Sequence, residues 1–176
     1  MLLPATIVCG DTGVTRDLTP TPGTIRLEPS SVTANVGEPV TVSIWLENGA
    51  NYYGIDIRFR FDEALVSIPS GHVTPLWDVF DESNRMIIKN QVDDGLIWYS
   101  ITNLNPATPF TGTGRICSIT FVPLAEGLSP LNLCYAKGAT RDGDPLFPTQ
   151  SDGLIRTPGA TVKLYLPMMQ VGESAP

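Results

Sequence analysis

The stretch YGIDIRFRFDEALVSI, residues 53–68, decides the fold. Ile55, Ile57, Phe59 and Phe61 alternate with Asp56, Arg58 and Arg60. Strict period-two alternation describes a strand with one buried face and one wet face. Asp62-Glu63-Ala64 breaks the pattern as a tight acidic turn, and Leu65, Val66 and Ile68 resume it as a short strand. The wet row, Asp-x-Arg-x-Arg, is a charged strip on a flat surface. It reads as a recognition surface or as an ordinary solvated sheet face.

The same period recurs on both sides. Upstream, Ile25 and Leu27 alternate with Arg26 and Glu28, and Val36-Gly37-Glu38-Pro39 makes a turn. Val40, Val42, Ile44 and Leu46 then form an inward row opposite Thr41, Ser43, Trp45 and Glu47. Asn48-Gly49 is a turn signal before the central stretch. Downstream, Pro69-Ser70-Gly71 turns the chain, and His72 to Phe80 reads as a short strand or a loop packed over the core. RMIIKNQV (residues 85–92) is a strand, Asp93-Asp94-Gly95 is a hairpin signal, and Leu96 to Leu104 returns. In that return Ile97, Tyr99 and Ile101 face one side, and Trp98, Ser100 and Thr102 the other. Ile116–Val122 and Leu131–Tyr135 read as a hairpin around Ala125-Glu126-Gly127, and Gly153–Arg156 and Thr161–Leu166 close the fold.

Composition agrees with an all-β chain. The 176 residues are 42% hydrophobic, enough for one domain with a real core, and include 16 Gly and 16 Pro. No window carries an apolar stripe at helical spacing. About nine short strands between turn signals point to a sandwich or jelly roll. The expected organisation is an N-terminal segment with a Thr/Pro linker (1–23), a β-sandwich (24–164) and an apolar tail (165–176). Val162 to Val171, VKLYLPMMQV, is the last strand with an overhang, or a strand donated to a neighbouring molecule for self-assembly.

The net charge of −7 argues against nucleic acid and anionic membranes as partners. No run reaches the ~20 apolar residues that a membrane span needs. Met1 to Cys9 is apolar but short and lacks a basic start, so it is not a complete secretory signal. The three cysteines, Cys9, Cys117 and Cys134, do not make a disulfide framework. Cys117 shares the inward parity of Ile119 and Phe121, whereas Cys134 opposes the parity of Leu131 and Leu133. No bond between those two is expected, and a Cys9–Cys134 pair stays open.

Catalytic chemistry finds few candidates. The single histidine, His72, follows a turn and has no nucleophile motif around it. The carboxylates at Asp62-Glu63, Asp78-Asp81-Glu82, Asp93-Asp94 and Asp142-Asp144 all fall at turns, where Asp favours the backbone anyway. Asp142-Gly143-Asp144 could hold a cation but lacks the third acid of a calcium loop. No enzyme and no cofactor are expected. A carbohydrate-binding module would need a planar row of aromatics. Trp45, Trp77, Trp98, Tyr52 and Tyr53 are available but form no row on any one strand, so polysaccharide is the alternative partner.

In order along the chain, several pieces resemble a cohesin domain, the receptor module of cellulosome scaffoldins. Gly37-Glu38-Pro39-Val40-Thr41-Val42 resembles the family's lead into its second strand. Gly54 to Asp62 with Leu65 resembles its third strand and aromatic-Asp turn, although Glu63 stands where the family has proline. Asp94-Gly95-Leu96-Ile97, Gly114–Val122 with Gly127–Leu133, and Asp152-Gly153 resemble later elements. The resemblance covers residues 24–161. It implies a flattened nine-strand jelly-roll sandwich, an extracellular or cell-surface location, and binding of a dockerin, a helical module folded around calcium. In the family the third, fifth, sixth and eighth strands make the binding face. By position Asp56 matches a strand-three acid that hydrogen-bonds the partner, and Ser100 and Asn103 fall at sixth-strand contact positions that carry other residues in well-known cohesins. Together with the outward rows, the expected docking residues are Asp56, Arg58, Arg60, Lys89, Gln91, Trp98, Ser100, Thr102 and Asn103.

Overall fold

The computed structural model describes residues 20–159. These residues form thirteen strands and no helix: β1 (Thr24–Glu28), β2 (Ser31–Thr33), β3 (Val40–Tyr52), β4 (Gly54–Arg60), β5 (Val66–Ser67), β6 (Thr74–Pro75), β7 (Arg85–Asp93), β8 (Leu96–Asn103), β9 (Phe110–Pro123), β10 (Gly127–Ala139), β11 (Pro145–Leu146), β12 (Thr149–Ser151) and β13 (Gly153–Thr157). Eight have five or more residues; β2, β5, β6, β11 and β12 are pieces of two or three. All eight long strands fall where the sequence reading expects a strand, and the short β5 falls in the expected short strand at 65–68; β2, β11 and β12 carry too few residues to show alternation, and the expected strand Thr161–Leu166 lies outside the described residues.

The strands make two sheets packed as a sandwich. One runs β12-β1-β3-β9-β5, with β6 also on β9; the other runs β2-β13-β10-β4-β8-β7, with β11 on β10. The inward rows are those the alternation predicts. Ile25, Leu27, Val42, Ile44 and Leu46 come from the first sheet, and Ile55, Ile57, Phe59, Ile97, Tyr99 and Ile101 from the second; all are buried. At the bottom of the core Phe61 meets Phe121 edge to face, with ring centroids 5.8 Å apart. Val73, Val79 and Phe80 are also buried, so residues 72–80 do pack over the core.

Two turn readings need correction. Asn48-Gly49 does not turn the chain. Asn48 takes φ 52° and the β3–β9 register shifts between Leu46 and Gly49, so the pair forms an irregularity inside one long strand. The preference of Asn and Gly for positive φ serves a bulge as well as a hairpin. The chain reverses later, at Tyr53, where it leaves one sheet for the other. The expected hairpin of residues 116–135 is also not a hairpin: β9 pairs with β3, while β10 pairs with β4 and β13 in the opposite sheet. Residues 124–126 therefore cross the sandwich. Two adjacent amphipathic strands look alike in sequence whether they pair or face each other.

The Asp93-Asp94-Gly95 hairpin does form. Asp94 at φ 48° and Gly95 at φ 65° supply the two positive angles of a tight β7–β8 turn. A Cβ at Gly95 would come within 2.7 Å of the Phe61 carbonyl oxygen, so that site needs glycine for space as well. Cys117 is a free, buried thiol and Cys134 is disulfide-bonded, so no bond joins the two. Burial pushes the Cys117 thiol far above its ordinary range. Cys9, residues 1–19 and the stretch 162–171 lie outside the described residues.

Candidate functional site

The outer face of β10-β4-β8-β7 is the broadest regular surface of the larger sheet. Register sets its side chains in rows. Across one row lie Tyr135, Arg58, Trp98 and Gln91; across the next lie Lys137, Asp56, Ser100 and Lys89. Tyr135 reaches the outer face because the β10 register shifts between Leu133 and Tyr135, leaving Cys134 as the extra residue.

Packing on this face is specific. The Arg58 guanidinium carbon lies 4.1 Å from the centre of the Trp98 ring and 4.8 Å from that of Tyr135. Its Nη2 donates to Asp56 Oδ2 at 3.1 Å, and Trp98 Nε1 donates to Asp56 Oδ1 at 2.8 Å. Lys89 lies over the Trp98 ring, with Nζ 5.1 Å from its centre. Arg60 donates to the Asp94 carbonyl at 3.2 Å and ties the strand to the β7–β8 turn. Burial and the nearby Asp56 charge raise the Tyr135 pKa, with Arg58 opposing them. Each charged group is thus oriented by a neighbour before any partner arrives.

Eight of the nine expected residues share this face; Asn103 does not. Its side chain is buried and accepts from the Asp81 backbone N–H at 3.0 Å, fixing the loop before β7. Asn103 has the inward parity of Ile97, Tyr99 and Ile101, so its match to a contact position is a matter of alignment and not of exposure. Ser100 faces outward but is 91% covered by its neighbours. Thr102 donates to the Tyr53 and Asn103 carbonyls.

Sequence reasoning missed Tyr135 and Lys137. The bulge at Cys134 resets the parity of β10, and nothing local in the sequence marks it. Met86 and Ile88, which the sequence marks only as strand residues, are 50% and 59% exposed. An Arg-Met-Ile-Ile-Lys run without alternation was the available signal of an irregular edge strand.

The face carries a slight excess of positive charge: Arg58, Arg60, Lys89 and Lys137 stand on it against Asp56, with Asp93 and Asp94 at the hairpin end beside Arg60. Those four are drawn from only 11 Lys and Arg in a chain of net charge −7. Chemically the arrangement offers charge, hydrogen bonds and ring surface, with no nucleophile beside a base. His72, elsewhere in an exposed loop, faces its neighbour's carbonyl, Val73 O, at 3.2 Å. Among the described residues no group of three or more His, Cys, Asp or Glu gathers to hold a metal. The Asp142–Asp144 turn is closed by Thr140.

The aromatics are dispersed. Trp45 lies on β3 in the opposite sheet under Arg26, 5.4 Å from the ring centre, and Trp77 carries the Arg85 guanidinium at 3.8 Å. No helix among the described residues is long and apolar enough to cross a membrane.

No protein-family model matches the chain, and no curated protein matches it by sequence. Solved structures do match. A type II cohesin domain from the cellulosome of Acetivibrio cellulolyticus superposes with a TM-score of 0.63 at 19% identity, over 77% of this chain and 95% of that one. A non-cellulosomal cohesin from the hyperthermophilic archaeon Archaeoglobus fulgidus gives 0.62 at 18%, over 79% and 93%. A type I cohesin–dockerin complex from Clostridium thermocellum gives 0.62 at 15%, over 78% and 99%. The chain therefore has the β-sandwich fold of cohesin modules.

Proposed function

We propose that the protein is a non-catalytic recognition module that binds a dockerin-type partner through the outer face of β10-β4-β8-β7. One observation carries the reading: this face presents a charged and aromatic surface whose Arg58, Trp98 and Asp56 are already locked together. A flat, preorganised sheet suits a helix laid across it, because little side-chain entropy is lost on binding. A small molecule needs a concavity. The fold adds support, since structures with the same architecture include cohesins crystallised with dockerins. Calcium then belongs to the partner, and the site of action is extracellular or at a cell surface.

A carbohydrate-binding role fits less well. The Trp98 ring is approached by Arg58 and Lys89, Tyr135 in the same row is separated from it by the Arg58 guanidinium, and Trp45 is on the other sheet, so no continuous aromatic row is offered to sugar rings. The test is a panel of calcium-loaded dockerins titrated with the purified chain, beside retention on polysaccharide columns. Micromolar or tighter binding to a dockerin supports the reading. Retention on polysaccharide with no dockerin bound overturns it.

A further inference from the structure

Next to the charged rows the same face changes character. The row Ala139, Gly54, Thr102 is made of small residues, and it ends at Met86 on β7. Together with Asp56, Ser100, Lys137 and Ile88 it bounds a shallow depression of about 260 Å³. Its surface is mainly apolar. Gly54 keeps it open: a Cβ there would lie 3.1 Å from Thr102 Oγ1 and 3.3 Å from Thr102 Cβ, over the floor.

One wall exists because of a defect in the edge strand. The β7–β8 register shifts between Ile87 and Lys89, leaving Ile88 unpaired in the ladder. A bulge re-aims the side chain it carries, and here Ile88 borders the depression. Met86, Ile87 and Ile88 are 50%, 39% and 59% exposed, three consecutive apolar residues on a sheet edge. Single exposed apolar residues are ordinary, but a contiguous group beside a concavity marks an interaction site. Edge strands are usually protected by charge, and the two charges flanking this group are both held over rings, Arg85 over Trp77 and Lys89 over Trp98.

The charge around the depression is positive. Lys137 lines it and Lys89 follows Ile88, while both oxygens of Asp56 already accept hydrogen bonds from Arg58 and Trp98. A mainly apolar floor with cations at the rim favours an apolar group that travels with a carboxylate over a sugar, which needs several polar partners.

We propose that this depression is the specificity pocket of the face, and that it takes one aliphatic side chain from a partner helix carrying an Asp or Glu one turn away. Residues three or four apart on a helix are about 5–6 Å from each other, which lets one turn fill the pocket and pair with Lys137 or Lys89. The proposal rests on the docking role proposed above and adds where discrimination between partners is made.

The experiment uses the full chain and a calcium-loaded dockerin that it binds, with four variants. Ile88→Asp puts a charge on the wall, Ala139→Trp fills the floor, and Asp56→Ala alters the neighbouring rows. Ile88→Asp and Ala139→Trp are each expected to weaken binding about tenfold or more, as loss of a buried anchor does; Ile88 is exposed, so its variant should keep a thermal midpoint within about 2 °C of the parent, and Ala139→Trp, at a half-buried position, is compared at a temperature below its own measured midpoint. Lys137→Glu should lower the association rate and flatten its salt dependence. Binding lost in Asp56→Ala but unchanged within twofold in both pocket variants overturns the pocket and spares the docking face. Failure of the parent chain to bind any dockerin overturns both.

Discussion

Arg58→Ala tests whether the proposed docking face is prebuilt. The guanidinium sits between two rings and pairs with Asp56. Each cation–π contact at a partly exposed site is worth about 0.5–1 kcal/mol. The ion pair, with side chains 29% and 27% exposed, adds about 0.2–1 kcal/mol after solvent screening. Together the truncation should cost about 1–3 kcal/mol, well short of the ~5–15 kcal/mol that holds a domain together. For a chain of this size that lowers the thermal midpoint by about 2–12 °C. The assay is thermal unfolding by circular dichroism at low and high salt. The ion-pair share should fade with salt, while the ring contacts persist. Arg58→Lys should recover only part of the loss, because an ammonium cannot stack on both rings as a planar fork does. A midpoint unchanged within about 1 °C in Arg58→Ala would refute the reasoning, since the sandwich would then contribute nothing.

Three further perturbations test other parts of the account. Asn103→Ala removes the acceptor of the Asp81 N–H and should destabilise by about 1–3 kcal/mol by urea denaturation, with partner affinity unchanged, because the residue is buried behind the face. Gly138→Ala would place a Cβ 2.5 Å from the Tyr52 ring and should cost about 1–3 kcal/mol by overpacking, read as a lower urea midpoint. Asp78 is held below its ordinary 3.8, first by the hydrogen bond from Arg115. Its contribution is therefore complete above that value and is lost as pH falls through the lower folded-state pKa. Asp78→Asn should accordingly narrow its stability deficit against the parent as pH is lowered through the acid range, measured by urea midpoints at stepped pH.

Much of the fold is legible in the sequence wherever burial on one face forces period two. Ile55 to Phe61 and Ile97 to Ile101 announce their inward rows without reference to any partner strand. Which strands pair is less legible, because pairing depends on where connections cross the sandwich. Ala125-Glu126-Gly127 has the composition of a hairpin turn, yet the chain there changes sheets. Bulges are the other blind spot. Cys134 and Ile88 each add one residue to a strand, and each moves side chains of the candidate face, Tyr135 and Lys137 in one case and Ile88 itself in the other. The charged centre of the face was visible as the Asp56, Arg58 and Arg60 row beside Trp98. Its apolar flank was not, since Gly54 and Ala139 have no pattern until three strands are laid side by side.

The most direct test of the docking face is a calorimetric titration of the parent chain and Asp56→Ala against one calcium-loaded dockerin, each with and without chelator. Truncating a hot-spot residue near the centre of an interface costs about 2 kcal/mol or more, about 30-fold in affinity. The account predicts calcium-dependent binding by the parent, at least about 30-fold weaker binding by Asp56→Ala, and a variant that stays folded. Equal affinities for parent and variant, with or without calcium, would contradict it.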